Sequence, residues 1–286
     1  MPHANHGAMG SLGSVLLTAL LIVVAITYLR GWWNLRSTPI SISGGRVCSF
    51  IGGLFSIWIA AASPLALLDH ELLTVHMLKH LLLMTAAPPL IWLGEPVRAL
   101  MRGLPRNRQS AFHTQAAAQK IGHFLGRPQV GWLAATAALV LWHIPPVFAL
   151  GMQSTAWHFV EQSSFLATGL LFWWPVIQPW PSASIPDLSM ILYLFFATLP
   201  CDILSGFLVF CDRVIYPVYL PSSRLWGFSA LEDQQCAAAL MWTSVTVVYL
   251  IAGTVLTMRL LSPQHVHHAA AAREVRSGLG ALQHGD

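Results

Sequence analysis

Charged side chains are scarce in this chain. Only 9% of its 286 residues are Asp, Glu, Lys or Arg, while 55% are hydrophobic; soluble domains carry about 25% charged residues. The composition excludes an ordinary soluble domain and predicts an integral membrane protein in contact with the lipid bilayer. The net charge of +4 does not indicate a nucleic-acid partner, because the basic residues lie in short segments beside hydrophobic stretches, where they set membrane orientation.

Cysteine is rare, and the common catalytic motifs are missing. The four cysteines show no Cys-x-x-Cys spacing, which argues against a thioredoxin-like motif or a zinc knuckle. The sequence contains no Walker motif, no GxGxxG and no GxSxG, so we predict no enzyme and assign no catalytic residue. Cys211 and Cys236 fall near one predicted membrane surface, where a disulfide is chemically allowed but not required.

Long hydrophobic stretches are abundant. A transmembrane helix needs about 20 mainly apolar residues, and seven stretches of the chain qualify. We therefore predict an all-α integral membrane protein, a bundle of seven transmembrane helices. The predicted spans are residues 11–29, 47–68, 72–93, 131–150, 158–177, 188–211 and 234–260.

The segments outside these spans are short. The first stretch lacks the basic region and the cleavage site of a signal peptide, so we predict a retained span preceded by a short external N-terminus, residues 1–10. Residues 105–127 mix basic and apolar side chains, which favours an amphipathic helix on the membrane surface. The membrane domain is thus expected over residues 11–261, followed by a disordered cytoplasmic tail at 262–286.

The distribution of Lys and Arg predicts the orientation. Of the 15 such residues, three follow the first span, six follow the third, and three lie at or after the end of the seventh, all on one side of the membrane. Only Arg213 and Arg224 lie on the other side, and Lys79 falls inside the third span. Because basic loops remain in the cytoplasm, we predict the N-terminus outside and the C-terminus in the cytoplasm.

Ionisable side chains within the apolar stretches are predicted to converge near the outer face. Such groups are costly in hydrocarbon and mark functional sites. At a rise of about 1.5 Å per residue they lie within about two turns of the outer surface, where Asp233 begins the last span. Imidazoles around a carboxylate, beside the Met77 thioether, suit a transition metal. The clustered residues are His76, His80, His143, His158 and Glu161.

Two spacings support this site. His76 and His80 are four residues apart on one helical face, a spacing that lets two imidazoles bind one ion. His158 and Glu161 also share a face, and Glu161 could bind the metal directly or orient a histidine. The alternative is that each histidine only joins neighbouring helices by hydrogen bonds. Four histidines at one depth favour a metal site over that alternative.

Two further charged residues have open roles. Lys79 could extend to the surface, or it could pair with Glu161 or Asp69. Asp202 follows Pro200 in the middle of the sixth span. It could satisfy a polar group freed by the proline, or it could accept protons or serve as an extra metal ligand.

Three segments resemble the multi-spanning cytochrome c oxidase assembly factors of the CtaG type. The segments are HMLKHLLLMTAAPPLIWLGEPV, WHIPPVFALGMQSTAWHFVEQSSFLATGLLFWWPVI and WGFSALEDQQCAAALMW. They occur in the order expected for that family, and the resemblance covers roughly residues 50–260. The matching positions are His76, His80, His143, His158, Glu161 and the Asp233–Gln234 pair.

The resemblance implies a seven-span protein of the bacterial plasma membrane that helps to mature a haem–copper oxidase. It implies copper as the metal, with His76, His80, His143 and His158 as ligands. Met77, Glu161 and Asp233 are then expected to support the site. The implied partners are the oxidase catalytic subunit or other assembly factors.

Three other functions remain open at this stage. A haem-binding electron carrier would use two histidines on facing helices as axial ligands. A copper or proton transporter is weakened by the near absence of ionisable residues in the inner half of the spans. A membrane hydrolase would use metal-bound water, but the sequence predicts no substrate pocket for it.

Overall fold

The structure is a computed structural model that describes residues 3–38, 41–105, 126–177, 188–221 and 227–261. Over these residues it contains helices and no β-strand, which confirms the predicted all-α fold. Most of the predicted surface segment 105–127 and the whole tail 262–286 lie outside the described residues. In chain order the α-helices are α1 His3–Leu35, α2 Gly44–Ala62, α3 Leu73–Leu81, α4 Ala87–Leu93, α5 Pro96–Gly103, α6 Pro128–His143, α7 Pro145–Gln153, α8 Thr155–Ile177, α9 Leu188–Phe210 and α10 Ala230–Leu260.

Four of these helices are long and apolar enough to cross a membrane, namely α1, α2, α9 and α10. Two bent arrangements raise the number to six if each counts as one span: α3–α4 with α5, bent by 64°, and α6 with α7, bent by 80°. Helix α8 is not among these candidates, because the polar residues of the predicted site lower its hydropathy. The predicted count of seven is therefore not confirmed, and the orientation stays a prediction.

The long helix through the third predicted span contains a π-helical segment, Leu82–Ala86, between α3 and α4. Pro88 has no backbone N–H, so it cannot bond the carbonyl of Met84, four residues earlier. That carbonyl instead accepts a hydrogen bond from the Trp173 indole of α8 at 3.1 Å. Gly169 of α8 also packs here, since a Cβ on it would lie 2.8 Å from the Met84 oxygen. The irregularity thus ties α3 closely to α8.

The IPP sequence produces the second break. Helix α6 ends at His143, and α7 begins at Pro145 after an extended Ile144. A residue that precedes proline disfavours the helical conformation, so the chain turns there by 80°. The break places His143 at a helix end, next to α3.

Two glycines bring α1 onto α5. A Cβ on Gly31 would lie 1.8 Å from the Ala99 oxygen, and one on Gly103 would lie 2.0 Å from the Thr27 oxygen. Only glycine allows this backbone approach, a common device between membrane helices. The largest buried cluster lies elsewhere and joins α3, α6, α8, α9 and α10. Helix α3, which carries two predicted ligands, is therefore central in the bundle.

Candidate metal site

His76 and His80 lie one turn apart on α3, and both side chains are buried. Their Nε2 atoms are 2.7 Å apart, so the N–H of one ring donates a hydrogen bond to the other ring. The Nδ1 atom of each ring is buried and has no hydrogen-bond partner. Buried polar groups are normally satisfied, so two unpartnered imidazole nitrogens call for a functional explanation.

Glu161 of α8 completes this cluster. Its Oε1 atom lies 3.4 Å from His76 Nε2 and 3.5 Å from His80 Nε2. Donor atoms of the three residues all lie within 4.8 Å of one another. Two imidazoles and one carboxylate are a donor set that suits a transition metal. We call these residues the His76–His80–Glu161 cluster.

His158 lies on the other side of Glu161. Its Nδ1 is 3.2 Å from Glu161 Oε2, and its Nε2 is 3.0 Å from Asp69 Oδ2. The Nδ1 contact lacks the alignment of a hydrogen bond, since both atoms remain unpartnered. Asp69, His76 and His158 form a second group whose donor atoms lie within 4.8 Å of one another. His158 thus sits between two carboxylates.

Lys79 pairs with Asp69, one of its two predicted partners. Its ammonium group forms a buried ion pair with Asp69 and also lies 3.2 Å from His158 Nε2. Burial opposes ionisation of Asp69, but the hydrogen bond from His158 and the charge of Lys79 outweigh it and hold the pKa of that carboxyl well below its ordinary value. Because Lys79 neutralises Asp69, the His76–His80–Glu161 cluster is the better candidate for a cation.

His143 stands next to this cluster but outside both groups. Its Nδ1 donates to the Leu139 carbonyl at 2.7 Å, so Nε2 keeps its lone pair, and that atom is buried without a partner. His143, His80 and Met77 line one cavity of about 40 Å³. The structure therefore brings three of the four predicted histidines together around Glu161 and places the fourth across a small cavity.

Asp233, which we predicted to support a bound metal, lies instead at the N-terminus of α3. Its carboxylate accepts from the backbone N–H groups of Leu73 at 2.6 Å and of Thr74 at 3.1 Å, and from the Thr74 hydroxyl at 2.6 Å. The first N–H groups of a helix have no partner within it, so this carboxylate caps α3. Asp233 therefore positions the helix that carries His76 and His80.

Residues 211–221, which follow α9, pack against the site, and they include residues that the sequence analysis missed. The Tyr219 hydroxyl donates to the Asp69 backbone oxygen at 2.8 Å, and the Tyr216 hydroxyl donates to the His143 oxygen at 3.0 Å. Gln234 anchors this segment by accepting from the Ile215 N–H at 2.7 Å. The two tyrosines of the connection between two predicted spans were the available signal, because buried tyrosines need a partner for the hydroxyl.

A second set of hydrogen bonds fixes the backbone of Glu161. Trp142 of α6 donates to the Ser164 hydroxyl at 2.8 Å, and that hydroxyl donates to the Glu161 backbone oxygen at 2.7 Å. Gly151 of α7 leaves room for the carboxylate, since a Cβ there would lie 3.1 Å from Glu161 Oε2. The broken helix pair α6–α7 thus shapes the site on the side facing α8.

The remaining predicted positions lie apart. Cys211 and Cys236 are free thiols, so the disulfide considered above is not formed. Asp202 has one buried carboxylate oxygen without a hydrogen-bond partner. Asp202 belongs to neither group of potential metal ligands within the described residues.

Comparison with known proteins gives one family and several distant relatives. Uncharacterised proteins of Mycobacterium bovis and Mycobacterium tuberculosis are each 24% identical over 250 residues, which cover 84% of this chain and 38% of theirs. One of Mycobacterium leprae is 23% identical over 273 residues, covering 91% of this chain and 40% of its own. The chain thus spans about two fifths of the length of the curated relatives it matches.

No solved structure matches the chain. The family match covers residues 26–262, which include every residue of the site. That family is described as cytochrome c oxidase caa3 assembly factor. The chain therefore belongs to the family of cytochrome c oxidase caa3 assembly factors.

Proposed function

We propose that this protein binds copper at the His76–His80–Glu161 cluster and helps to deliver it to the catalytic subunit of a haem–copper oxidase. The observation that carries the proposal is the buried convergence of two imidazoles and a carboxylate within 4.8 Å. Copper here is a cargo. The protein acts in a bacterial plasma membrane, and its partner is the oxidase subunit or another assembly factor.

The charge of the cluster favours a monovalent ion. A buried cation needs a compensating charge nearby, and Glu161 supplies one negative charge. Asp69 supplies none to the metal, because Lys79 already pairs with it. Cu(I) bound by two neutral imidazoles and Glu161 is therefore electrically balanced, whereas a divalent ion leaves one positive charge uncompensated.

The number of ligands favours transfer. The cluster provides three donors, so a bound ion keeps a coordination position for an incoming ligand, as at other open metal sites. His158 approaches Glu161 from the opposite side at 3.2 Å and limits the movement of the carboxylate. Release to a partner can then proceed by exchange of one ligand at a time.

The haem-binding alternative has less support. His76 and His80 lie on the same helix with their Nε2 atoms 2.7 Å apart. Two axial ligands must approach a haem iron from opposite faces of the ring, which these two cannot do, and a pair on facing helices such as His80 and His143 lines one small cavity. The cavity beside His80 has a volume of only about 40 Å³.

The test is the copper content of the purified full chain and of its His80→Ala variant. We expect the wild type to retain copper after dialysis and the variant to lose most of it while still inserting in the membrane. Oxidase activity of cells that carry the variant should fall in parallel. His70→Ala is a matched control, since it removes an exposed histidine from the same region.

Two results would count against the proposal. If His80→Ala keeps its copper and still supports oxidase maturation, these histidines only join helices. If both histidine variants lose copper equally, the binding is a property of surface imidazoles and does not belong to the buried cluster.

A further inference from the structure

The cavity of about 40 Å³ next to the His76–His80–Glu161 cluster is lined by several soft donor groups. Thioethers, a thiol and imidazoles reach it from the α3 helix and its π segment, from α6, from α9 and from α10. The donors are Met77, Met84, Met241, Cys201, His80 and His143.

The donors are placed to serve a bound ion. Met77, Met241 and Cys201 are all buried by 95% or more. His143 Nε2 and His80 Nδ1 are both buried without a hydrogen-bond partner. An unpartnered imidazole nitrogen is costly in a dry interior, and an ion in the adjoining cavity would relieve that cost.

The lining indicates which ion fits. It contains no Asp, Glu, Lys or Arg. Its most acidic group by ordinary pKa is the thiol of Cys201, which supplies one negative charge when it releases its proton. One negative charge balances a monovalent ion and leaves a divalent one uncompensated. Thioether and thiolate sulfur also select soft ions such as Cu(I). The volume is close to that of a single water molecule, about 30 Å³, and so admits one ion.

We propose that this cavity is a second, sulfur-rich site for a soft monovalent ion, Cu(I), which shares His80 with the His76–His80–Glu161 cluster. The proposal rests on the proposed copper-binding function and extends it. On binding, Cu–S and Cu–N bonds form, the S–H bond of Cys201 breaks, and its proton leaves to solvent; the copper stays Cu(I) throughout. The neutral His80 ring has one free lone pair, so it binds one ion at a time, and an ion can pass from nitrogen and oxygen ligands to sulfur by exchanging its ligands one by one.

The experiment uses the purified full chain loaded anaerobically with Cu(I). Copper-edge X-ray absorption reports whether sulfur coordinates the metal, and titration gives the number of ions per chain. The test variants are Cys201→Ser and the double variant Met77→Leu with Met241→Leu. Leu and Met have similar volumes, so the core should stay packed. Met258→Leu is the matched control, because Met258 is an exposed methionine on the same helix as Met241.

We expect sulfur coordination in the wild type, in Met258→Leu and in His76→Ala. Cys201→Ser should lose the sulfur-bound ion, and the double Met variant, which keeps Cys201 and Met84, should show a weaker sulfur signal. Titration should fall by one ion per chain in Cys201→Ser. Retention of the sulfur signal in His76→Ala separates this site from the histidine cluster. Failure of the first site alone would instead appear as a single sulfur-coordinated ion per chain, with no second ion.

The inference is overturned if wild-type copper shows nitrogen and oxygen ligands alone. It is equally overturned if Cys201→Ser and the double Met variant both show the wild-type sulfur signal while their thermal unfolding matches the wild type. If a variant unfolds, the wild type is titrated instead with Ag(I), another soft monovalent ion. The absence of a sulfur-bound silver ion would then exclude the site.

Discussion

His76 and His80 hold their Nε2 atoms 2.7 Å apart, a hydrogen-bond distance. Two nitrogens bound tetrahedrally to one metal at about 2.0 Å stand about 3.3 Å apart. A metal bound at this cluster would therefore replace the hydrogen bond between the rings with two metal–nitrogen bonds and would separate the nitrogens by about half an ångström. Glu161, in contact with both rings, must move with them. Mutations that restrict this carboxylate should consequently affect metal binding more than folding.

Gly151→Ala should weaken metal binding. The new Cβ would lie 3.1 Å from Glu161 Oε2, tighter than ordinary contact, and the carboxylate has little room because His76, His80 and His158 surround it. We expect the copper affinity to drop by about tenfold, the lower range seen when groups that orient metal ligands are disturbed. Competition with a chelator measures it.

Gly253→Ala is the control for that substitution. A Cβ on Gly253 meets nothing within 4 Å, and Ala is favoured over Gly within a helix by about 1 kcal/mol. This variant should bind copper as the wild type does and should be at least as stable. Equal affinities of the two variants would mean that Glu161 does not need its observed position.

Asp69→Asn should strongly destabilise the protein, because it leaves the Lys79 ammonium buried without its counter-charge. Removal of one partner of a buried ion pair costs about 3–5 kcal/mol. Lys79→Met should cost a similar amount, while the double variant should recover part of the loss. Thermal unfolding of the four proteins forms the cycle, and strictly additive losses would show that the pair is not coupled.

The contribution of Asp69 to the free energy of unfolding should depend on pH in a defined way. Since the pKa of Asp69 is lowered in the folded protein, its stabilisation is fully present above the unfolded value of about 4 and is lost as the pH falls through the folded value. The stability difference between wild type and Asp69→Asn should therefore shrink only below about pH 4. A difference that already declines between pH 8 and pH 5 would assign the effect to another group.

Asp233 offers a direct comparison between a helix cap and a metal ligand. Asp233→Ala removes the acceptor for three donors at the start of α3, and loss of a cap costs about 1–2 kcal/mol. Asp233→Asn retains one acceptor oxygen and should lose less. Copper content per folded chain should stay unchanged in Asp233→Asn; a loss of copper without a loss of stability would make Asp233 a ligand.

The orientation predicted from the basic residues can be tested with reporters. Twelve of the 15 Lys and Arg residues fall on one predicted side, so a reporter fused after Asp286 should be active only in the cytoplasm. A tag in the segment around Arg224 should be reachable from outside the cell. The reverse pattern would place the metal site at the cytoplasmic face.

Composition and local spacing were enough to predict the all-α membrane character and most of the site. Ionisable residues in an apolar helix are conspicuous, and the four-residue interval between His76 and His80 fixes their common face without any tertiary information. The predicted count of seven spans was not confirmed for a related reason. The polar residues that mark the site also make α8 less apolar, so α8 is not among the candidate spans.

Only the tertiary structure decided which polar groups meet. Asp233 accepts a hydrogen bond from Leu73, 160 positions earlier. The sequence left Lys79 two possible carboxylate partners, and in the structure it pairs with Asp69. The soft donors around the small cavity come from separate helices, so no interval in the sequence relates them. Residue type and helical period are local properties, whereas the pairing of buried charges depends on how broken helices pack, and that is settled by contacts between distant parts of the chain.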